Sequence, residues 1–441
     1  MMKRILYFLT ILAGLVACND NDTFTTSRSN VLTFSVDTVK MDTVFTTVGS
    51  STYTFWVFNQ SGDGIRLSTV RLRNGNQTGF RVNVDGSYLD NTMGSVVTDL
   101  EVREGDSIRV FVELTAPENR QLSPQLMEDD LVFSLESGVE QRVCLQAWAW
   151  DALQLRNPVV SRDSVIESAR PIVIYGGLSI DSAATLTIRN TTLYFHDGAG
   201  ITVNGTLKTD SVVMRGDRLD HMFDYLPYDR ISGQWRGIVF TGSSAGNQLT
   251  DTEIRNAMTA VAVDSAAIDS TTQRLTMTRC VVHNAKGSGV VSYHSNIGLY
   301  YCQLTNTQGD CLAVYGGIAD VDHCTLAQFY PFTAQRGAAL RFSDYSSLTL
   351  SCTNSLVTGY EDDVVMGERN DTTHGFHYQF FDCLLRTPAV EDDTVSFKRI
   401  QWETPKDSIQ GKQHFVKIDE GNLDYDFHLD SLSTAQGKGC Y

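Results

Sequence analysis

The chain has 441 residues, with 35 basic and 52 acidic side chains and a formal net charge of −17 at pH 7. Such an acidic surface repels phosphate backbones and anionic lipid headgroups, so the composition argues against nucleic acid as a partner. The length suits two domains with substantial cores, and the abundance of Thr, Ser, Val and Gly predicts an all-β protein.

Residues 1–17 have the layout of a secretory signal peptide. Lys3 and Arg4 precede an apolar run that ends at Val16, which is shorter than the roughly 20 residues of a membrane-spanning helix. The run leads into Leu15-Val16-Ala17-Cys18, which resembles the bacterial lipobox. The resemblance implies that Cys18 receives diacylglycerol and that acyl chains attach the mature protein to a membrane. An ordinary signal peptide followed by a chance cysteine is the alternative.

Residues 18–30 are interpreted as a tether. Asn19-Asp20-Asn21-Asp22 and the Thr/Ser-rich stretch after it contain too few apolar side chains to fold. Acidic residues directly after the lipid cysteine resemble the surface-export signal of Bacteroidetes lipoproteins. This resemblance implies an outer-membrane lipoprotein that is exposed on the surface or faces the periplasm, and a simple solvated linker is the alternative.

Residues 31–151 are predicted to form an immunoglobulin-like β-sandwich. Tyr53, Phe55 and Val57 alternate with polar residues and Trp56, and the stretch 108–114 alternates in the same way. Turn signals such as Asp85-Gly86 separate these short strands, a spacing typical of antiparallel sandwiches. Cys144 is the single cysteine of this region, so no internal disulfide joins its sheets.

Residues 152–441 are predicted to form a right-handed parallel β-helix, because a motif recurs at the spacing of solenoid coils. The motif starts at Thr252, Cys280, Cys302, Cys324, Asn354 and Cys383, at successive offsets of 28, 22, 22, 30 and 29 residues. A β-rich unit of this size, with no room for a helix, fits one coil of three short strands and three turns.

The repeat places cysteines above one another. Cys280, Cys302, Cys324 and Cys383 share a position with Thr252 and Asn354, which predicts a buried ladder of small side chains. The thiols either act as small hydrophobes or form disulfides, and the sequence does not decide between the two. Four residues later come Asn256, Asn284 and Asn306, and asparagine tolerates the left-handed backbone of a tight corner.

A second column joins aromatic residues of successive coils. It runs through Val263, Tyr293, Tyr315 and Phe342, with Val261, Val291, Ala313 and Leu340 two residues earlier. Period two places both sets on one face of a strand, and the aliphatic set suggests that this face is the core. An exposed aromatic strip that holds sugars is the alternative.

Several segments resemble Bacteroidetes β-helix lipoproteins that carry an N-terminal immunoglobulin-like domain. The segments are 34–39, 83–86, 175–180, 184–188, 201–207, 233–240 and 424–429. Together they extend over nearly the whole mature chain. The resemblance implies a surface or periplasmic β-helix lipoprotein but no particular activity, because this superfold hosts lyases, hydrolases, adhesins and binding proteins.

An insertion between Arg215 and Trp235 interrupts the repeat and is the candidate ligand loop. Its acidic, histidine and tyrosine residues are Asp217, Asp220, His221, Asp224, Tyr225, Tyr228 and Asp229. Acidic and aromatic side chains interleaved on a loop suit sugar stacking and hydroxyl binding, or a calcium ion. The alternative is a loop that shields the flank of the first coils.

No catalytic constellation or dedicated metal site is identified. Glu361, Asp362 and Asp363 are adjacent and face different sides of a strand, and His374 and His377 have helical rather than strand spacing for a shared metal. We therefore expect a non-catalytic envelope protein that presents a binding surface for glycan or for another envelope protein. The alternatives are a polysaccharide lyase or glycoside hydrolase acting on acidic polysaccharide, and a purely structural stalk. Three or more acidic side chains converging in a cleft beside a basic residue would favour the enzyme.

Overall fold

A computed structural model describes residues 23–220, 227–403 and 411–440. The signal peptide, Cys18 and the loop residues His221, Asp224 and Tyr225 lie outside these ranges. The chain divides into two compact units between Asp151 and Ala152. Among the residues described, no helix is both long and apolar enough to cross a membrane.

The first unit is a two-sheet β structure. Its strands are β1 (Thr33–Phe34), β2 (Thr38–Phe45), β3 (Tyr53–Phe58), β4 (Ile65–Leu72), β5 (Phe80–Val84), β6 (Ser87–Tyr88), β7 (Val96–Val102), β8 (Ser107–Leu114), β9 (Gln125–Leu135) and β10 (Glu140–Trp150), with a 3-10 turn at Asn91–Met93. They form two five-stranded sheets in the orders β1-β3-β8-β5-β6 and β2-β10-β9-β4-β7. The sheets are antiparallel except where β2 pairs parallel to β10.

The predicted alternation builds the core of this unit. Phe55 and Val57 of β3 are buried while Trp56 between them is exposed. Buried side chains of both sheets, such as Phe55 and Leu67, meet in one cluster, so the unit is a sandwich. Asp85 and Gly86 form the two-residue turn between β5 and β6 with φ angles of 48° and 81°, as their sequence predicts.

The second unit begins with 24 strands, and hydrogen bonds join them into one continuous system. They are β11 (Leu153–Arg156), β12 (Val159–Val160), β13 (Ser164–Ile166), β14 (Ile172–Tyr175), β15 (Leu178–Ile180), β16 (Thr185–Phe195), β17 (Ile201–Val203), β18 (Thr206–Gly216), β19 (Ile238–Phe240), β20 (Asn247–Arg255), β21 (Val261–Val263), β22 (Leu275–Thr278), β23 (Val281–His283), β24 (Val290–Tyr300), β25 (Gln303–Thr305), β26 (Leu312–Asp322), β27 (Thr325–Gln328), β28 (Leu340–Thr353), β29 (Leu356–Gly359), β30 (Val365–Glu368), β31 (Phe376–Phe381), β32 (Leu384–Leu385), β33 (Phe397–Lys398) and β34 (Gln401–Trp402). A 3-10 turn at Tyr228–Arg230 lies in the insertion.

Each coil contributes strands to three parallel sheets, which we name A, B and C in the order the chain visits them. β11, β12 and β13 start sheets A, B and C, and each pairs in parallel with the corresponding strand of the next coil. Strands β16, β18 and β20 run around the corner from sheet C to sheet A, while β24, β26 and β28 run from sheet B to sheet C. The second unit is therefore a parallel β-helix.

The interior consists of stacked apolar side chains. On sheet A, one inward column contains Ile254, Val282, Leu304, Leu326, Val357 and Leu385, which pair in register and are fully buried. Full burial of each such side chain stabilises the fold by roughly 1.5–3 kcal/mol. Because every coil adds the same column, the repeat seen in the sequence is the repeat of this core.

The predicted cysteine ladder is confirmed at Cys280, Cys302, Cys324 and Cys383, which are fully buried free thiols. The Cys302 backbone N–H lies 3.4 Å from Cys324 Sγ. The prediction that Asn354 belongs to the ladder is wrong. Thr325 pairs with Leu356, so the residue aligned with Cys324 is Ser355. Cys324 N–H donates to Ser355 Oγ at 3.0 Å, whereas Asn354 occupies the preceding corner with a φ of 47°.

The asparagine column is confirmed as a corner between sheets A and B. Asn256, Asn284 and Asn306 have φ angles of 62°, 60° and 55°. Asparagine adopts this left-handed conformation more readily than most residues, so the repeated Asn fixes the direction of the chain at each of these turns.

The aromatic column is only partly in the core. Val263 pairs with Ser292, and Val314 pairs with Phe342, so the inward column is Val263, Ser292, Val314 and Phe342. The prediction is wrong for Tyr293 and Tyr315, which come one residue later and face outward; Tyr293 is 39% exposed. The corner after Asn256 is one residue shorter than the corner after Asn284, and a slip of one residue exchanges the two faces of a strand.

Residues 411–440 fold back over the outside of sheet A. After a 3-10 turn at Lys412–His414, β35 (Phe415–Asp419) and β36 (Asp424–Leu429) form an antiparallel hairpin. Phe415 and Phe427 of the hairpin pack with outward-facing side chains of sheet A, such as Leu356 and Leu384, in a separate apolar cluster. We call this segment the C-terminal cover.

A buried polar cluster ties the C-terminal cover to the last coils. Arg386 Nη1 and Glu403 Oε1 are 3.2 Å apart, and both side chains are almost completely buried. His414 Nε2 lies 3.4 Å from the same oxygen, and Thr358 Oγ1 donates to Glu403 Oε2 at 2.7 Å. The cover is thus attached through apolar packing and through the polar contacts of Gln413 and His414 with Glu403.

Candidate functional site

The candidate site lies over one column of outward-facing side chains on sheet A. This column contains one residue from each of five successive coils: Tyr194, Arg215, Arg255, His283 and Thr305. Tyr194 pairs with Arg215, and His283 pairs with Arg255 on one side and with Thr305 on the other. Tyr194 is buried under Arg215, whose Nη2 donates to the Arg218 carbonyl at 2.9 Å, so the insertion covers this end of the column. The C-terminal cover overlies the other end, and the middle coils stay open as a groove.

We call this opening the sheet A groove. It is lined by Asp229, Arg230, Glu253, Arg255, Asn256, Val281, His283, Asn284, Gln303, Asn306, Pro331, Phe332, Leu423, Asp424, Tyr425 and Phe427. Glu253, Val281 and Gln303 form a second outward column of its floor, in register with one another. Phe332 is 42% exposed and provides an aromatic edge at the rim.

The walls of the groove are connected to each other. Arg230 Nη1 on the insertion donates to the carbonyl of Asn422, in the turn of the hairpin, at 2.7 Å. Ser232 Oγ lies 2.7 Å from Tyr330 Oη, which joins the insertion to the segment that carries Phe332. Asn256 Nδ2 donates to the Asp229 carbonyl at 2.8 Å and fixes the insertion to the floor. The shape of the groove is therefore set before any ligand binds.

Several polar atoms of the groove residues have no hydrogen-bond partner among the described residues. They are Arg255 Nε, Asn284 Oδ1, Asn306 Oδ1, Asn306 Nδ2 and Tyr425 Oη. Each is buried, and a buried polar atom without a partner costs about 1–3 kcal/mol. Asn306 is 1% exposed with both amide atoms unpaired, so its lack of partners does not depend on how its amide is oriented. Among the described residues, five of the fifteen buried side-chain atoms that lack a partner thus belong to residues of this groove.

The charges of the groove are mostly paired. Glu253 Oε1 and Arg255 Nη1 are 3.2 Å apart, and Asp229 Oδ2 and Arg230 Nε are 3.7 Å apart. Asp424 pairs with Lys417 of the facing strand. Three carboxylates and two guanidinium groups therefore line the groove without forming a free charge cluster.

His283 is the neutral hydrogen-bonding group of the floor. Burial, together with the Arg255 guanidinium, lowers the pKa of its imidazole to about 4. Its Nδ1 lies 2.9 Å from Thr305 Oγ1, and its ring contacts Tyr425 and Phe427 at centroid distances of 5.5 and 6.0 Å. At neutral pH the imidazole can donate or accept a hydrogen bond but carries no charge.

Of the described residues of the predicted ligand loop, only Asp229 lines the groove. Asp217 instead pairs with His196 at 2.7 Å, and burial raises the pKa of its carboxyl. Asp220 accepts two hydrogen bonds of 2.7 Å from Arg218, whose guanidinium lies 4.1 Å from the Tyr228 ring centroid. These three side chains thus contact arginine and histidine neighbours, and their part in ligand binding stays a prediction.

The other acidic and histidine motifs have structural partners. Arg386 donates to the Glu361 carbonyl at 2.7 Å and to Asp362 Oδ1 at 3.0 Å, and Thr387 Oγ1 donates to Asp363 Oδ1 at 2.7 Å. His374 Nδ1 lies 2.8 Å from the Asp344 carbonyl. Within residues 23–220, 227–403 and 411–440, no group of three or more His, Cys, Asp or Glu side chains could hold a metal ion.

Sequence reasoning missed most of the groove floor. The repeat that predicts the ladder also places Arg255 and His283 one residue before Asn256 and Asn284, so an outward polar column was visible in the sequence. The wall formed by residues 423–427 was not visible, because it lies about 170 residues along the chain from Arg255.

Comparison with known proteins agrees with the fold. A family model described as right handed beta helix region matches residues 160–328. No curated protein sequence matches the chain.

Three solved structures illustrate the likeness. The periplasmic alginate epimerase AlgG has 12% identity and a TM-score of 0.32, with 58% of this chain and 70% of that chain covered. The GH87 alpha-1,3-glucanase of Streptomyces thermodiastaticus has 10% identity and a TM-score of 0.26, covering 80% and 89%. A family 123 glycoside hydrolase of Clostridium perfringens has 8% identity and a TM-score of 0.20, and the match spans 29% of this chain and about a quarter of that one, 26%.

These likenesses assign no substrate or activity to the chain. The family model adds the handedness to the parallel coils seen in the structure. The second unit of this protein contains a right-handed parallel β-helix.

Proposed function

We propose that this protein is an exported, lipid-anchored envelope protein whose sheet A groove binds a neutral glycan without cleaving it. In this proposal, Cys18 carries the lipid and an immunoglobulin-like sandwich precedes the β-helix in an outer-membrane lipoprotein of the Bacteroidetes type. The Leu15 to Cys18 motif after a short apolar run supports the anchor.

The observation that carries glycan binding is the set of unpaired polar atoms in the groove. Arg255 Nε is a donor, Asn284 Oδ1 is an acceptor, and the Asn306 amide provides one of each. A sugar hydroxyl both donates and accepts, so a run of hydroxyl groups can satisfy such a mixed set. Ligand binding would then recover the energy that these atoms lose in the free protein.

The charges favour a neutral chain over an acidic one. Asp229, Glu253 and Asp424 place three carboxylates in the groove against two guanidinium groups, and the whole chain has a net charge of −17. The groove carboxylates and the negative net charge would both repel a uronic acid chain. Phe332 and Tyr425 provide apolar surface for the CH face of a sugar ring.

The convergence of three carboxylates with Arg230 and Arg255 is the observation that favours the second candidate, a glycoside hydrolase or lyase. Ion pairing argues against it. In the groove, each of the three carboxylates is paired with a cation. A general acid must instead be free to donate its proton to the leaving group. Release of reducing ends or unsaturated products from any polysaccharide by the purified protein would favour the enzyme.

The test of binding uses a panel of soluble polysaccharides, namely β-glucan, α-glucan, mannan, xylan and polygalacturonate, with the chain from residue 19 onward. We expect retention on at least one neutral polymer and none on polygalacturonate. Asn306→Gly removes the unpaired amide while keeping a residue that tolerates the φ of 55°. It should weaken binding about tenfold, which corresponds to one or two hydrogen bonds.

The matched control is Asn190→Gly, at another left-handed corner with a φ of 49° but outside the groove. It should leave binding unchanged. Equal effects of the two variants, or retention of the anionic polymer alone, would contradict the proposal. The lipid anchor is tested separately by incorporation of an alkyne fatty acid into the wild type and its absence in Cys18→Ser.

A further inference from the structure

Three tyrosines stand together on the outer surface of the β-helix, at the corner between sheets B and C. Tyr293 and Tyr315 are paired in adjacent coils, with ring centroids 5.2 Å apart and an interplanar angle of 13°. The Tyr345 ring lies 6.2 Å from that of Tyr293 at 75°. Tyr293 is 39% and Tyr345 63% exposed, so the group leaves aromatic surface in water. We call it the tyrosine corner.

The segment that carries Tyr345 is a bulge of four residues. Tyr315 pairs with Ser343 and Gly317 with Leu348, so the four residues 344–347 lie opposite the single residue Gly316, an insertion of three. Such insertions are tolerated in a solenoid when they enter at a corner. The bulge reaches back across one coil and brings Tyr345 to Tyr293.

The residues around Tyr345 are all anchored. Asp344 accepts hydrogen bonds from the backbone N–H groups of Asn370 and Asp371, at 2.6 and 2.8 Å. Ser346 Oγ lies 2.5 Å from His294 Nδ1, and Ser347 Oγ accepts from the Gly375 N–H at 3.1 Å. The exposed ring is therefore held in place by its neighbours.

The coil beneath leaves room for the bulge. Gly316 and Gly317 have φ angles of 70° and 90°, and a Cβ at Gly316 would overlap Ser346. Glycine is thus required both by its backbone conformation and by the close approach. Residues of two coils therefore hold the Tyr345 ring in its exposed position.

The charged groups beside Tyr315 are paired with one another. Arg341 contacts Asp310 at 3.0 Å and Glu368 at 2.5 Å. The Asp344 carboxylate is used by backbone N–H groups. A charged ligand would find no free counter-charge in these groups, whereas the rings and their hydroxyls suit a ligand that alternates CH faces with hydroxyl groups.

We propose that the tyrosine corner is a second glycan-binding site, at which Tyr345 and Tyr293 stack against sugar rings of a neutral polysaccharide. It lies on a different face of the β-helix from the sheet A groove and is built from different residues. It extends the proposed function without depending on the groove, because each site has its own variants.

The experiment is affinity electrophoresis of the chain from residue 19 onward, in native gels cast with the same polysaccharide panel. Tyr345→Ala and Tyr293→Ala should each weaken retention by the neutral polymer about threefold to tenfold, the effect expected for one lost aromatic stacking contact. Tyr88→Ala, which removes a tyrosine that is 48% exposed on the sandwich, is the control and should change nothing. Thermal midpoints should stay within about 2 °C for all three.

Weaker retention for both corner variants with an unchanged midpoint supports the second site. If Asn306→Gly weakens retention while the corner variants retain full affinity, the groove stands and the corner proposal is overturned. If the corner variants weaken retention and Asn306→Gly does not, the corner stands and the groove proposal fails. A change of oligomeric state in Tyr345→Ala, measured by light scattering without loss of retention, would show that the corner contacts another protein copy and overturn its assignment to glycan.

Discussion

His283 lies next to Arg255 in the following coil of sheet A, and burial together with this guanidinium lowers the pKa of the imidazole to about 4. The ordinary pKa of histidine is near 6.5. The His283 position of the groove floor is therefore polar but uncharged over the neutral pH range. The low pKa of His283 predicts how the free energy of unfolding should change as the pH falls.

We expect the folded state to lose stability between about pH 6.5 and pH 4 because of His283. In this window the unfolded chain binds a proton that the folded chain does not, so the free energy of unfolding decreases as the pH falls. His283→Gln removes this contribution. Urea unfolding at pH 7 and pH 4.5 should show a loss for the wild type that exceeds the variant's by about 1–2 kcal/mol. Parallel losses in both proteins would mean that His283 is not protected from protonation.

The cluster around Glu403 should be the most sensitive ionic contact of the β-helix. Burial opposes its ionisation, but hydrogen bonds from His414 and Thr358 and the charge of Arg386 lower the pKa of this carboxyl. Glu403→Gln leaves the buried Arg386 with only the exposed carboxylate of Asp362 as a counter-charge and should destabilise the protein by about 3 kcal/mol.

Glu167→Gln is the matched control, because its pair with Arg189 is exposed to solvent and such pairs contribute little to stability. Both variants are compared by chemical denaturation. Limited proteolysis should also cut the C-terminal cover faster in Glu403→Gln. A control that is as destabilising as Glu403→Gln would argue against a special role of the buried cluster.

Two glycines with left-handed backbones allow the energetic cost of backbone strain to be measured apart from the cost of close packing. A Cβ at Gly237, with a φ of 93°, would overlap the carbonyl of Thr259, whereas nothing lies within 4 Å of a Cβ at Gly198, with a φ of 72°. Gly198→Ala should cost about 1–2 kcal/mol of backbone strain. Gly237→Ala should cost clearly more, since the corner between sheets A and B must also open. Similar denaturation midpoints for the two variants would contradict this packing.

The thiols of the ladder should be protected. Cys280, Cys302 and Cys324 are fully buried, and burial raises the pKa of Cys302 well above its usual value. A maleimide reagent should modify Cys144 and Cys440, which are half-buried, before it reaches the ladder. Peptide mapping after graded exposure gives the order of reaction. Early modification of Cys302 in the folded protein would be inconsistent with coil stacking.

The sequence predicted the features that repeat in every coil. The left-handed asparagines follow the ladder positions by four residues in three coils, because the ladder lies at the start of sheet A and the asparagines at the corner that follows it. The alternation in residues 31–151 likewise predicted which face of each strand is buried.

Features that depend on corner length could not be predicted in the same way. Tyr293 was assigned to the core because its column was counted from the aromatic residues themselves, and a corner that is one residue longer moved it to the surface. The partners of Asp217 and Asp220 could not be predicted either, because composition does not reveal that His196 and Arg218 pair with those carboxylates.

The most direct test of the groove is hydrogen–deuterium exchange with and without the neutral oligosaccharide that corresponds to the best polymer of the panel. We predict slower exchange in peptides containing residues 253–256, 281–284, 303–306 and 423–427, with no change in residues 23–151. Protection confined to residues 23–151, or none in these four segments at saturating ligand, would contradict the account.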